Sequence, residues 1–363
     1  MRILHLDSGV DWRGGQQQIE YLVDGLKRLG VQQYLVLRRK GKLACRLRQL
    51  GVPISTLSFS SELAPLSVLK LRKLISQFQP AIIHAHDSRT LGMAALLRFL
   101  GEKAKIAAAR RVAFPIRKNP FWELKYGKAV DRIVAVSKFI RDQLIRAGIA
   151  PGKVELVYDG YALGAIQCEE GRMRARQSLG IAEGDWVLGC IGQFTSEKGH
   201  ECLIRGLKIL RDKSSGARLV LVGDGPLRRR YQTLIGELGL ANHVILPGFV
   251  ADPGSLLPAF DLYVLPSLNE GLGSTLLMAM AQQIPVCASR TGGIPELVIE
   301  GETGSLFAPG DPGALAETVL RCARDKALTP RMAETACRRV RADFAVERMV
   351  SETYKIYINV LSS

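Results

Sequence analysis

The chain has 363 residues, 47% apolar and 23% charged, with seven cysteines and a formal net charge of +16. That length predicts two domains, each large enough for its own core, and the apolar content excludes a disordered polypeptide. The cysteines show no C-x-x-C pair and no zinc spacing, an odd, unpatterned set that fits a reducing compartment.

The segment Met1–Asp7 starts directly as a strand with charge inside it, so we read no signal peptide and expect a cytoplasmic protein. The longest uncharged run, Gly271 to Ser289, contains Gly, Gln and Pro and is read as loop and buried helix, not as a membrane span. The charge is unevenly placed. Residues 1–160 hold 28 Lys and Arg against 12 Asp and Glu, whereas residues 161–363 hold 22 of each. A one-sign field over the first half implies an anionic surface or substrate there. Nucleic acid is disfavoured, because aromatics are only 6% of the chain and no nucleic-acid module signature is present.

The first half alternates strand and helix patterns. Its expected strands are Arg2–Leu6, Gln33–Leu37, Ala81–Ala85, Lys105–Ala109, Arg132–Val136 and Val154–Tyr158. Arg13-Gly-Gly-Gln16 follows the first strand and opens a helix through Leu29, so Gly14 and Gly15 form either an anion site at a helix start or a plain tight turn. The basic runs Arg38-Arg-Lys-Gly-Lys42, Arg46 with Arg48, and Lys70 with Arg72-Lys73 are read as helical, and Leu43, Leu47 and Leu50 give one of them an apolar side. A basic amphipathic helix is a candidate for an anionic membrane surface, a charge run otherwise being a solvated face. Ile82-Ile-His-Ala-His-Asp87 ends a strand, Arg110-Arg111 follows the next, and Ser137 caps a helix. Asp159-Gly160 reads as a tight turn.

The rhythm then restarts, with strands expected at Trp186–Ile191, Arg218–Val222, His243–Leu246, Asp261–Leu265 and Pro285–Ala288. Two successive series of this kind predict two Rossmann-like domains, with ligands at the carboxyl ends of the strands. Ile191-Gly-Gln-Phe-Thr-Ser-Glu-Lys-Gly-His200 leaves the first strand of the second series. Val222-Gly-Asp-Gly-Pro226 and Leu246-Pro-Gly-Phe-Val250 leave the next two; Asp224 is read as bracing its turn. Pro266-Ser-Leu-Asn-Glu-Gly-Leu-Gly-Ser-Thr-Leu-Leu-Met-Ala-Met280 reads as strand end, glycine loop and helix. Gly271 and Gly273 let backbone N–H groups approach a ligand, and the helix aims its positive end at the same place. This is a diphosphate cradle with the carboxylate of Glu270 beside it. The tail from Val346 to Leu361 carries apolar residues at helical spacing. No Asp-x-Asp metal motif occurs, so no metal and no cofactor is expected.

The block from Pro266 to Leu297 resembles the donor-binding segment of retaining GT-B glycosyltransferases, family 4. The resemblance spans nearly the whole chain and implies an α/β GT-B fold, two Rossmann-like domains facing across a cleft, with the last helix crossing back. The implied domains are 1–162, binding the acceptor, and 163–344, binding a nucleotide-sugar, with the helix 345–363 packing on the first. It assigns donor contacts to Gly14, Gly15, Gln193, Lys198, Gly248, Glu270, Gly271, Leu272, Gly273 and Ser274. Catalytic roles go to Lys198 (charge on the leaving diphosphate), Glu270 (the donor sugar) and Arg111; either it or Arg110 stands where many members have a His. Three departures stand out. Gln193 occupies the position of a usual Arg, Met278 that of a second Glu expected on the ribose, and Asp159 that of an Asn. The resemblance implies a retaining transferase; the missing Asp-x-Asp motif adds metal independence, and the basic first half suggests an anionic acceptor at the inner membrane face, a phosphorylated glycolipid such as lipopolysaccharide core, another envelope lipid or a saccharide. A GT-B pair that binds ligand without turnover is the other reading.

Overall fold

The computed structural model describes residues 1–59, 65–113, 116, 120–164, 168–213 and 216–362. The chain divides into two compact units, Met1–Gly160 with Val346–Ser363, and Tyr161–Ala345.

The first unit holds β1 (Arg2–Asp7), β2 (Gln32–Arg38), β3 (Ile54–Leu57), β4 (Ile82–Ala85), β5 (Lys105–Arg110), β6 (Arg132–Ala135) and β7 (Val154–Leu156). They form one parallel sheet in the order β3-β2-β1-β4-β5-β6-β7. The second unit holds β8 (Trp186–Ile191), β9 (Ala217–Val222), β10 (Val244–Gly248), β11 (Leu262–Leu265), β12 (Val286–Ser289) and β13 (Ser305–Phe307). Its sheet is also parallel, in the order β10-β9-β8-β11-β12-β13. Parallel strands covered by helices on both faces are buried on both faces, which is why these segments read as continuous apolar runs. Strands β3 and β13 are absent from the sequence reading. Both are short sheet edges, of four and three residues, too brief to show a period.

Each sheet reverses its winding once, between β1 and β4 in the first unit and between β8 and β11 in the second. At such a point two adjacent strands send their following loops to opposite sides and leave a crevice at their carboxyl ends. The loops after β1, β4, β8 and β11 border these crevices.

The tail forms the helix Val346–Ser362 and belongs to the first unit. Met349, Val350, Ile356, Tyr357 and Val360 are buried with Ile3, Leu22, Leu26 and Ile82. Burial of each such side chain contributes roughly 2 kcal/mol. The helix Gly14–Arg28 approaches it so closely that a Cβ on Gly25 would meet Val350 Cγ2 at 2.5 Å.

The basic runs do not all form amphipathic surface helices. Arg38 ends β2, and Arg39 and Lys40 make a turn with Lys40 at φ 65°. The apolar side of the following helix, Lys42–Leu47, faces inward: Leu43 and Leu47 are buried with Ile19, Val23, Leu35 and Leu37. The expected membrane-facing stripe of Leu43 and Leu47 is thus core, because β2 and the helix Gly14–Arg28 need cover on that side. No helix among the described residues is long and apolar enough to cross a membrane.

Candidate active site

The two loops of the second unit's winding reversal meet at a pair of opposite charges. Lys198 Nζ donates to Glu270 Oε2 at 2.7 Å, and Ser267 Oγ donates to the same oxygen at 3.1 Å. Burial alone would lower the Lys198 ammonium. The neighbouring Glu270 carboxylate outweighs it and holds the group above its ordinary value. Lys198 lies in the loop after β8 and Glu270 in the loop after β11, two strands that are direct neighbours.

Glycines set how closely these loops approach. Gly199, at φ 65°, lies so near the loop after β11 that a Cβ there would sit 2.0 Å from the Pro266 carbonyl oxygen. Gly292 crosses under Glu270, where a Cβ would sit 1.9 Å from the Glu270 carbonyl oxygen. The backbones are also tied directly: Leu268 N–H donates to the Glu197 carbonyl at 2.8 Å, and Gly293 N–H to the Glu270 carbonyl at 3.2 Å.

Gly271, Leu272 and Gly273 are buried behind Glu270. Gly273 precedes the helix Ser274–Ala281 with φ 106° and supplies no side-chain cap. Leu276 N–H already donates to the Gly273 carbonyl at 2.9 Å, and the N–H groups of Ser274 and Thr275 before it can meet a negative charge. Met278 is buried on this helix, and its Sδ lies beside Gly254. Gln193 is half-buried just after β8, its carbonyl accepting from Thr195 N–H at 2.8 Å. Gly248, at φ 85°, ends β10 and accepts from Gly223 N–H at 2.9 Å. The sequence reading missed Arg228 here. Its Nη2 donates to the Leu246 carbonyl at 3.3 Å, which puts a cation beside Gly248. Within its run of three arginines nothing in the sequence distinguishes it. Asp224 does brace its turn, through its Oδ1 and Gly225 N–H at 2.8 Å.

His200 opens the helix behind Lys198 and is wholly buried, with neither ring nitrogen hydrogen-bonded among the described residues. Burial first, and the Lys198 charge second, push it down to about 3. It is a neutral ring packed on Phe194 and Tyr231, whose centroids lie 5.1 and 5.6 Å away.

In the first unit the crevice loops gather a second charged group. Asp7 ends β1, accepting from Gly9 N–H at 3.1 Å and from Gln16 Nε2 at 3.3 Å. Burial, with Asp87 nearby, raises it to about 6. Gly14 and Gly15 begin the helix Gly14–Arg28, and a Cβ on Gly15 would be 3.9 Å from Arg111 Cδ. Arg111 Nε donates to Asp159 Oδ1 at 3.1 Å. Burial raises Asp159, although Arg111 works against the shift. The Asp159-Gly160 turn is thus also one half of an ion pair, a role its sequence did not announce. Of the Ala107–Pro115 segment, Phe114 and Pro115 lie outside the described residues.

His84 and His86 are joined by His5, which pairs with His84 across β1 and β4. His5 Nδ1 and His86 Nε2 are 3.0 Å apart, His5 Nε2 contacts Gln33 Oε1 at 3.1 Å, and His84 Nδ1 contacts the Tyr357 hydroxyl at 2.5 Å. Each ring offers a nitrogen within 4.8 Å of the others. Burial holds all three below their ordinary values, His5 at about 4. They form a neutral network that ties β1 and β4 to the last helix. Ser137 caps its helix as expected, accepting from Ile140 N–H at 3.1 Å.

Two family models match this chain: Glycosyltransferase Family 4 over residues 12–163, and Glycosyl transferases group 1 over residues 171–339. The chain belongs to glycosyltransferase family 4. A relative, the GDP-mannose-dependent alpha-(1-6)-phosphatidylinositol monomannoside mannosyltransferase of Mycolicibacterium smegmatis, is 28% identical over 70% of this chain and 72% of its own. The lipopolysaccharide core biosynthesis mannosyltransferase LpcC of Rhizobium leguminosarum bv. viciae is 28% identical over 88% of this chain and 91% of its own. Anabaena Alr3699/HepE, solved in complex with UDP-glucose, superimposes with a TM-score of 0.89 at 23% identity, covering 99% of this chain and 100% of that one. The fold is GT-B, and this family 4 protein is a glycosyltransferase by the relatives it matches.

Proposed function

We propose that this glycosyltransferase moves a sugar from a nucleotide-sugar to an anionic acceptor, with retention at the anomeric carbon and without a divalent metal. The observation that carries the reading is the Lys198–Glu270 pair beside the uncapped helix start at Gly273. An ammonium, a carboxylate and free backbone N–H groups in one crevice match a diphosphate joined to a hydroxyl-rich sugar. Lys198 and the N–H groups balance the diphosphate, and Glu270 accepts from sugar hydroxyls. Gln193, Gly248, Gly271, Leu272, Gly273 and Ser274 complete the donor contacts of this unit. The anomeric carbon–phosphate oxygen bond breaks and a bond to the acceptor oxygen forms on the same face. The acceptor proton passes to the departing phosphate oxygen, so no protein base is required.

The acceptor reading rests on Arg111 and on the basic first half of the chain. The relatives named above, one acting on a phosphatidylinositol mannoside and one in lipopolysaccharide core synthesis, support a phosphorylated glycolipid. Such an acceptor would be met at an anionic membrane surface. Met278, an apolar side chain where family members carry a ribose-binding Glu, favours a second reading, ligand binding without turnover.

Thermal-shift titration with uridine, guanosine and adenosine diphosphate-sugars tests donor binding, since a ligand of the folded state raises its melting temperature. Transfer onto lipid acceptors in the presence of EDTA then separates the readings. We expect one donor to stabilise the protein and transfer to survive the chelator. Binding without transfer would favour the second reading, and activity restored only by added Mg²⁺ would overturn metal independence.

A further inference from the structure

We propose that Asp159 is a positioning residue that fixes the Arg111 guanidinium, leaving its remaining edge turned to an oxyanion of the substrate. Arg111 Nε is committed to Asp159 Oδ1 at 3.1 Å, and the two side chains are only 14% and 9% exposed. Its Nη1 is buried and has no hydrogen-bond partner among the described residues. A buried guanidinium nitrogen left unpaired costs energy in the free protein. An incoming phosphate or carboxylate oxygen would relieve that cost, so the interaction is strongest when substrate is present.

Asp159 is itself held. Gln18 Nε2 donates to the Gly160 carbonyl at 2.8 Å, and Gly160 N–H donates back to Gln18 Oε1 at 3.0 Å. This two-way clamp ties the turn that follows the last strand of the first unit to the helix that Gly14 and Gly15 begin. The backbone carrying the Asp159 carboxylate therefore cannot drift, and Arg111 lies against Gly15 on the same helix. Three chain segments, distant in sequence, thus meet around the Arg111 side chain. A carboxylate that only neutralised Arg111 would need no such clamp; one that aims it does.

The inference rests on the reading of Arg111 as a substrate contact, and a double-mutant cycle separates the two. The probes are UDP-glucose and GDP-mannose, with release of the nucleoside diphosphate as readout and melting temperature as the check on folding. Arg111→Ala is expected to lower kcat/KM at least tenfold. Asp159→Ala should lower it comparably, and should add nothing in the Arg111→Ala background. Asp159→Asn keeps an acceptor for Nε and should recover part of the loss. Full activity of Arg111→Ala would refute the underlying reading together with the proposal, as would a folded wild-type protein that turns over neither donor. An impaired Arg111→Ala with an unimpaired Asp159→Ala overturns the proposal alone. Multiplicative losses in the double variant do so too, since they would mean that Asp159 supports the fold independently of Arg111.

Discussion

Lys198 Nζ and Glu270 Oε2 lie 2.7 Å apart although 72 residues separate them in the chain. Their loops follow adjacent strands at the point where the sheet reverses, so the topology alone brings them together. The pair is partly exposed, with Lys198 28% and Glu270 14% accessible. It is open enough to be reached by a ligand and buried enough for its charge to be felt.

Lys198→Ala and Glu270→Ala should each reduce transfer by about two orders of magnitude, the usual effect of losing one preorganised charge contact. Both proteins should fold, because neither side chain belongs to the core. The check is initial transfer rate alongside the melting curve. Near-wild-type transfer in either variant would mean that the site lies elsewhere.

Gly292→Ala should damage the site through its backbone. The new Cβ would stand 1.9 Å from the Glu270 carbonyl oxygen, at a φ of 56°. A left-handed φ alone costs about 1 kcal/mol for alanine; the backbone clash is added to it. Gly301→Ala is the control, since Gly301 has φ 75° and nothing within 4 Å of its Cβ. Calorimetric unfolding should give a larger loss for Gly292→Ala, accompanied by lost transfer. Equal melting temperatures would contradict this account of the loop crossing.

Stability should fall as the solution is acidified from neutrality. The folded protein keeps His5 neutral down to about 4 and His200 down to about 3, with His84 and His86 also depressed. The unfolded chain takes up these protons near pH 6.5, so it binds more protons throughout the window below that value. A shift of 2.5 units is worth roughly 3 kcal/mol per group. Asp7, raised to about 6, acts in the opposite sense: the folded state binds its proton first, adding stability between about pH 6 and 3.8. Asp159 shifts in the same direction as Asp7. The histidines outnumber them, so the melting temperature should drop by several degrees between pH 7 and 5. His200→Phe, which sacrifices no hydrogen bond among the described residues, should flatten that slope.

Membrane binding should use the helix Pro65–Phe78 and not the segment after β2. Leu66 and Leu69 are 75% and 62% exposed there, and Lys70 and Lys73 stand beside them at helical spacing. Two leucines flanked by lysines suit an interface of apolar tails and anionic headgroups. Flotation with phosphatidylglycerol vesicles should recover the wild-type protein and lose the Leu69→Glu, Lys73→Glu double variant. Retained flotation would assign binding to another surface.

The sequence by itself determined the two parallel-sheet units and most of their strands, because strands buried on both faces leave apolar runs that no loop would carry. It also determined the glycine loops and their carboxylate, since close backbone approach and positive φ leave glycine at fixed places, as at Gly199 and Gly273. The edge strands β3 and β13 were not legible, being three or four residues long with no period to detect. Only the tertiary structure decided that Leu43 and Leu47 are core, that His5 joins His84 and His86, and that Asp159 meets Arg111. Each of those facts depends on which segments the sheet order makes neighbours, and a local pattern of side chains does not encode its distant partner.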